Sequence, residues 1–282
     1  MLKKVAIYSK ETNVRTSEGV AILVKEFNSR GIQTHIHQRS AGASFWSGSG
    51  LPDLPDMVIS VGGDGTFLET MLKVKDLGIP VAGVNTGRMG FLANISNEEI
   101  SHSVDMLCRG DFELIDRSLL EISEPDSLFG SNGSTALNEI TIQKNTPSMV
   151  TINVYVDGIY LNTYWADGLI VSTATGSTAY NLSVGGPILS PGDESIVISP
   201  ISPHNLTIRP IILSGVSRLR LKIEGRSDSY LATCDFRSEK LDFGREVQIM
   251  RSPKKLRTVM LKGMDFYSTL RNKLMWGADK RN

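Results

Sequence analysis

The residues best suited to chemistry lie in four segments that combine glycine with hydroxyl or carboxylate side chains. The first is Gly62-Gly63-Asp64-Gly65-Thr66, behind the apolar run Met57–Val61. Glycines let the backbone approach a ligand closely, and amides at a helix N-terminus favour anions. A carboxylate is out of place in a plain anion cradle. Asp64 makes sense there if it binds a hydroxyl and accepts its proton, as carboxylates do in phosphoryl transfer. A tight glycine turn in which Asp64 caps the following helix fits the same residues. The second segment is Asn85-Thr86-Gly87-Arg88-Met89-Gly90-Phe91-Leu92, in which Arg88 either meets a phosphate or is an ordinary surface arginine.

The third segment is the pair Asn138-Glu139. Adjacent strand residues face opposite ways, so a pair serving one ligand needs a strand end or a turn. Its donors and acceptors suit a ribose diol or an adenine edge, although the dipeptide alone is uninformative. The fourth runs from Asp167 to Pro187 and contains Thr173, Thr175, Ser177, Thr178, Ala179, Tyr180, Asn181, Leu182 and Ser183. Small and hydroxylated residues around glycines allow a backbone to press on a polar ligand, with Tyr180 placed to stack on a base. A core-lining β-turn is the plainer reading. No GxxxxGK[ST] or GxGxxG pattern occurs, and no HRD/DFG set, which disfavours P-loop enzymes, ordinary dinucleotide dehydrogenases and protein kinases.

These segments need elements to hold them. Val5–Tyr8, 32–38, Met57–Val61 and Ile79–Val84 read as strands, and 16–30 and Thr66–Leu77 as helices. Ser96-Asn97-Glu98-Glu99 has capping-box spacing, predicting a helix from there to Arg109. Alternating strands and helices imply a parallel sheet with helices on its faces. The first two segments follow strands, at the sheet edge where ligands bind in open α/β folds. The Ser/Gly/Pro-rich stretch 40–55 is a mobile flap or a plain connection. From about residue 112 the pattern becomes β-rich, with Asp157-Gly158 as a hairpin turn. The expected domains are 1–100 with about 262–282, and 101–261. The terminal helix, through Trp276, packs back on the first.

The 282 residues suffice for a large core, and 40% hydrophobic with 21% charged residues excludes wholesale disorder. Thirty basic against thirty acidic residues lowers the prospect of nucleic-acid binding. Cys108 and Cys234 cannot form a multi-bridge framework, which points to a reducing cytoplasm. The histidines lack ligand spacing, so no structural zinc is expected. No apolar run reaches membrane-spanning length, and no membrane partner is expected.

Taken in order, Gly62–Thr66, Asn85–Leu92, Asn138-Glu139 and Asp167–Pro187 resemble the NAD kinase family. So do Pro203-His204-Asn205-Leu206 with Arg209-Pro210, and Leu270–Trp276. The resemblance spans nearly the whole chain. GGDGT alone is shared with lipid kinases, whereas the long block is far more specific. The resemblance implies an α/β domain plus a β-sandwich-like domain. It implies transfer of the γ-phosphate of ATP, with Mg²⁺ or another divalent cation, to the 2′-hydroxyl of the adenosine ribose of NAD. It makes Asp64 the catalytic base and Gly65 a backbone contact. Asn138, Glu139, Asp167, Thr175, Thr178, Ala179, Tyr180, Asn181, Leu182 and Ser183 become dinucleotide contacts, in a homodimer or homotetramer. The alternatives are a GGDGT-type lipid or small-alcohol kinase and a non-catalytic NAD(P) sensor. Ala174 departs from the family's proline. Cys234-Asp235-Phe236-Arg237 stands where many members read Asp-Gly-Gln, which leaves Arg237 unassigned. Met149 and Trp165 replace a histidine and an arginine seen in some members.

Overall fold

The computed structural model describes residues 2–10, 13–38, 54–87, 90–130, 133–226 and 228–277. Arg88 and most of the 40–55 stretch lie outside them. The chain divides into two units, Met1–Asp116 with Leu256–Asn282, and Arg117–Lys255. The sequence places the domain boundaries at residues 100 and 262. Both observed divisions fall inside long strands, which no change of composition marks.

The N-terminal unit begins with β1 (Lys4–Ser9), α1 (Val14–Ser29), β2 (Gln33–Gln38), β3 (Met57–Val61), α2 (Asp64–Val74), β4 (Val81–Asn85), the two-residue β5 (Ile95–Ser96) and α3 (Ile100–Arg109). Strands β2, β1, β3 and β4 pair in parallel in that order, with β5 beside β4. Side chains alternate across the sheet. Val5 and Ile7 join Val20, Leu23 and Phe27 of α1 and Val104 and Leu107 of α3 in one core. The opposite face meets α2: the Tyr8 hydroxyl donates to Glu69 at 2.9 Å, and Thr70 Oγ1 to Ser60 Oγ at 3.0 Å. Helices therefore cover both faces, as alternation predicts. Gly110, at φ 77°, ends α3 in the left-handed conformation that glycine adopts without strain.

The expected capping box at Ser96 does not form. The Ser96 hydroxyl donates to the Glu99 carboxylate at 3.1 Å instead of accepting a backbone amide. Asn97–Glu99 is a 3₁₀ turn, and α3 starts after it. A Glu three residues past a Ser can capture its hydroxyl directly, so spacing alone does not make a cap.

The C-terminal unit holds two antiparallel sheets. After β6 (Phe112–Glu124) and β7 (Thr135–Ala136) come β8 (Glu139–Lys144), β9 (Val150–Val156), β10 (Ile159–Ala166), β11 (Gly168–Ser172), the one-turn α4 (Tyr180–Ser183), β12 (Ile196–Ile201), β13 (Ile211–Leu213), β14 (Leu219–Gly225), β15 (Ser229–Cys234), β16 (Arg237–Asp242) and β17 (Val247–Leu261). One sheet runs β13-β12-β11-β8-β15-β16. In the other, β10, β9, β14 and the start of β17 pair in turn. Ile140, Val171 and Ile198 from the first share a core with Ile152, Leu221 and Ile249 from the second, which makes a sandwich. Asp157 and Gly158, at φ 52° and 84°, form the expected hairpin turn between β9 and β10. The terminal helix α5 (Phe266–Leu274) is capped by Asp265 and belongs to the N-terminal unit.

Phe27 is fully enclosed between α1 and the sheet. Phe27→Ala should destabilise the N-terminal unit by about 3–5 kcal/mol, measured by denaturant unfolding. A loss below about 1 kcal/mol would show that the cavity collapses and that this ring does not anchor α1.

Candidate functional site

In the N-terminal unit the chain leaves β3 at Val61, turns through Gly62 and Gly63, and enters α2 at Asp64. The helix-capping reading of Asp64 does not hold. Gly63 is the N-cap and no side chain caps the helix. The Asp64 carboxylate instead reaches across to the segment after β4. Its Oδ2 accepts from the Phe91 amide at 3.0 Å, and its Oδ1 from Leu92 and Ala93 at 3.1 and 3.0 Å. Gly90 is required here, because a Cβ at that position would run into Asp64 Oδ1. Asn85 secures the same loop, donating to Ala93 O at 3.3 Å and accepting from Gly87 N at 2.7 Å. The first two sequence segments therefore form one assembly.

Sequence reasoning assigned no role to Lys273. Its ammonium lies 3.8 Å from Asp64 Oδ2 and 4.3 Å from the centre of the Phe91 ring. The Phe91 ring in turn lies 6.4 Å from that of Phe266. The side chains of Asp64 and Lys273 are both 32% exposed, so a ligand can reach either. The signal was present in the Leu270–Trp276 motif, but only folding sets α5 beside Asp64. The arrangement offers an oriented carboxylate, a cation and the free amides of a helix N-terminus, a set suited to a hydroxyl beside a phosphate.

In the C-terminal unit Asn138 ends the approach to β8 and Glu139 is its first residue, the strand end that the pair needs. Thr173 N donates to Asn138 O at 2.9 Å, and Gly176 lies so close to that carbonyl that a Cβ would collide with it. The Tyr180 amide bonds the Glu139 carboxylate. Glu139 is 9% exposed, and its buried Oε2 has no hydrogen-bond partner. Burial first, and the neighbouring Asp235 carboxylate second, push the Glu139 carboxyl up to about 8. Burial raises Asp235 also, but three backbone amides and Arg237 oppose that. Because the Asp235 carboxylate accepts three amides, the negative charge sits on it and the proton on Glu139. A buried neutral carboxyl with an unmatched oxygen is a group prepared to hydrogen-bond a ligand.

The fourth segment is less a loop than a strand followed by helical turns, 175–178 and α4. Much of its polarity is directed inward. Asn181 is fully buried; its amide donates to Ser177 O and Pro187 O at 3.1 and 3.0 Å, and its Oδ1 accepts from Ser199 at 2.6 Å. Thr175 accepts from the buried Arg117 at 3.2 Å. Thr178, Ala179 and Leu182 are half-buried, whereas Tyr180 and Ser183 are exposed. Asp167 pairs with Lys144 at 2.6 Å, and Tyr180 OH accepts from Gln143 at 3.4 Å. Because Gly168 lies opposite Gln143 and Ser172 opposite Glu139, Asp167 and Glu139 mark opposite ends of the β8–β11 pair, roughly 16 Å of strand apart. Among the described residues no group of three or more His, Cys, Asp or Glu could hold a metal ion.

The family model of the ATP-NAD kinase N-terminal domain matches residues 11–112, and that of the ATP-NAD kinase C-terminal domain matches 137–261. The chain is 44% identical over 229 residues to an NAD kinase of Cytophaga hutchinsonii, covering 81% of this chain and 78% of that one. It is 38% identical over 293 residues to an NAD kinase of Flavobacterium johnsoniae, covering 99% and 100%. The fold matches a crystal structure of yeast NADH kinase complexed with NADH, at a TM-score of 0.84 and 24% identity over 99% of this chain and 89% of that one. It also matches an Archaeoglobus fulgidus NAD kinase in complex with ATP, at 0.78 and 25% over 96% and 98%.

The raised Glu139 carboxyl has a consequence for stability. Between the ordinary value of 4.5 and about 8, the folded chain holds a proton that the unfolded chain has released. Glu139 therefore favours folding fully below the lower value, and that contribution is lost as pH rises through the upper one. Glu139→Gln should raise the melting temperature relative to the parent near pH 8 and change it little at acidic pH. Thermal unfolding at both pH values checks this; equal differences at the two would mean that Glu139 is ionised in the fold.

Proposed function

The chain belongs to the NAD kinase family, and on that premise we propose that it transfers the γ-phosphate of ATP to the 2′-hydroxyl of the adenosine ribose of NAD, giving NADP. The observation that carries the proposal is the Asp64 carboxylate, oriented by three backbone amides and open to a ligand. The ribose 2′-oxygen attacks the γ-phosphorus as the bond to the β–γ bridging oxygen breaks. ADP leaves, and the 2′-proton passes to Asp64. Such transition states are loose, so positioning and charge neutralisation contribute most of the acceleration. The Lys273 ammonium and the amides at the start of α2, Gly65 among them, stand where phosphate charge develops.

A divalent cation such as Mg²⁺, carried on ATP, would neutralise phosphate charge. The donor set of this chain fits a cation carried on the nucleotide better than a resident one, because the Asp64 oxygens already accept three amides. Asn138, Glu139, Asp167, the exposed Tyr180 and Ser183, and the half-buried Thr178 and Ala179 hold the dinucleotide. The buried Asn181 and Thr175 shape that surface from beneath, with Leu182 half-buried beside them. The lipid-kinase and sensor alternatives are not favoured, since the relatives are NAD kinases over most of the chain. Two free cysteines support a cytoplasmic location, and no helix among the described residues is long and apolar enough to cross a membrane. Self-association as a dimer or tetramer is supported by exposed Trp165, Met149 and Leu206 around one open depression.

Purified protein given ATP, Mg²⁺ and NAD should form NADP, read with an NADP-specific dehydrogenase. Asp64→Asn should lower turnover by about 10²–10⁴-fold while the protein remains folded; near-parental turnover would remove Asp64 as the base. Sedimentation should give a dimer or tetramer mass, and Trp165→Glu combined with Leu206→Glu should reduce it to the monomer. An unchanged mass in that variant would place the interface elsewhere.

A further inference from the structure

The turn between β15 and β16 carries a charged pair that the sequence left without a role, Asp235 and Arg237. Asp235 sits at φ 52° with its carboxylate turned inward. That carboxylate takes three consecutive backbone amides: Leu137 at 2.9 Å through Oδ2, and Asn138 and Glu139 at 2.8 and 3.2 Å through Oδ1. The Asp235 amide donates back to Glu139 O at 3.0 Å. The Arg237 guanidinium donates to Gly133 O and Thr135 O, just upstream on the same segment. On the other side the Thr173 hydroxyl donates to Leu137 O at 2.6 Å, and the Thr173 amide holds Asn138 O. Every amide of 137–139 is thus tied to one side chain.

We propose that Asp235 is a positioning residue for dinucleotide recognition: by gathering the amides of 137–139 it sets the turn from which Asn138 and Glu139 present their side chains to NAD. The inference rests on the NAD kinase reading above. A single carboxylate supplies enough lone pairs, and bonds to a charged acceptor are the stronger kind. The hydrogen bonds of Asp235 to 137–139 all lie on the segment that carries Asn138 and Glu139, so its loss should register in NAD binding and not in the donor site.

The test is Asp235→Asn, with Asp235→Gly as a second variant. Asparagine and glycine both accept the left-handed backbone at 235, so each removes the charge without adding backbone strain. Asparagine also sets an NH₂ group against an amide that the carboxylate satisfied. Each variant that is folded by circular dichroism should show a KM for NAD raised about tenfold or more, with the KM for ATP and kcat changed less than about twofold. An unchanged KM for NAD in either folded variant overturns the proposal. An equal loss on both substrates also overturns it, because that marks a general structural role, and so does failure of both variants to fold. The parent enzyme separates the two readings. If it forms no NADP, the kinase reading fails, and NAD affinity by calorimetry decides the role of Asp235. Weaker binding by the variants then supports it, whereas equal binding, or none by the parent, overturns it.

Discussion

A carboxylate that gathers three consecutive backbone amides occurs in each unit, and the arrangement of chemical groups depends on it. Asp64 holds 91–93, and Asp235 holds 137–139. A loop outside regular structure leaves its amides unmatched, and burying them unmatched is costly. One ionised acceptor satisfies several at once and also fixes the loop's shape. This explains why glycine is demanded nearby. Gly90 must pass Asp64 with no side chain, and Gly176 must pass the Asn138 carbonyl in the same way.

The two carboxylates share a geometry but differ in exposure, and that difference sorts their chemistry. Asp64 keeps a third of its side chain open beside Lys273, so a reacting hydroxyl can reach it. Asp235 points inward to a segment that is otherwise closed. Its charge, together with burial, keeps Glu139 protonated in a chain whose formal charges balance at 30 and 30. Net neutrality thus conceals local fields of both signs. Local cations such as Lys273 and oriented amides can meet anionic charge without a basic surplus.

Much of the fold was legible because its causes are local. Val5–Tyr8 and Met57–Val61 are apolar runs bounded by breakers. Asp157-Gly158 can take the positive φ of a tight hairpin, and Gly110 that of a helix end. The Asn138-Glu139 pair could be placed at a strand end from pleating alone. Local rules failed where a side chain had two partners within reach. Ser96 bonds Glu99 in place of an amide, and Asp64 bypasses its own helix for a loop 27 residues on. The long hydroxyl-rich block shows the same limit. Composition marks it as polar but cannot separate Ser177 and Asn181, which brace the interior, from Tyr180 and Ser183, which reach solvent.

By itself the sequence determined the order of elements, the two-part organisation and the motifs that carry the family resemblance, because periodicity, turn residues and short spacings are properties of neighbours along the chain. Folding alone decided which groups act together. Lys273 joins Asp64 from 209 positions away in the sequence, and Asp235 reaches Asn138 from 97. Such pairings depend on sheet order and register, which bring distant segments side by side. The three amides gathered at Asp235 then assign the negative charge to it and the proton to Glu139, and no reading of residue types contains that information.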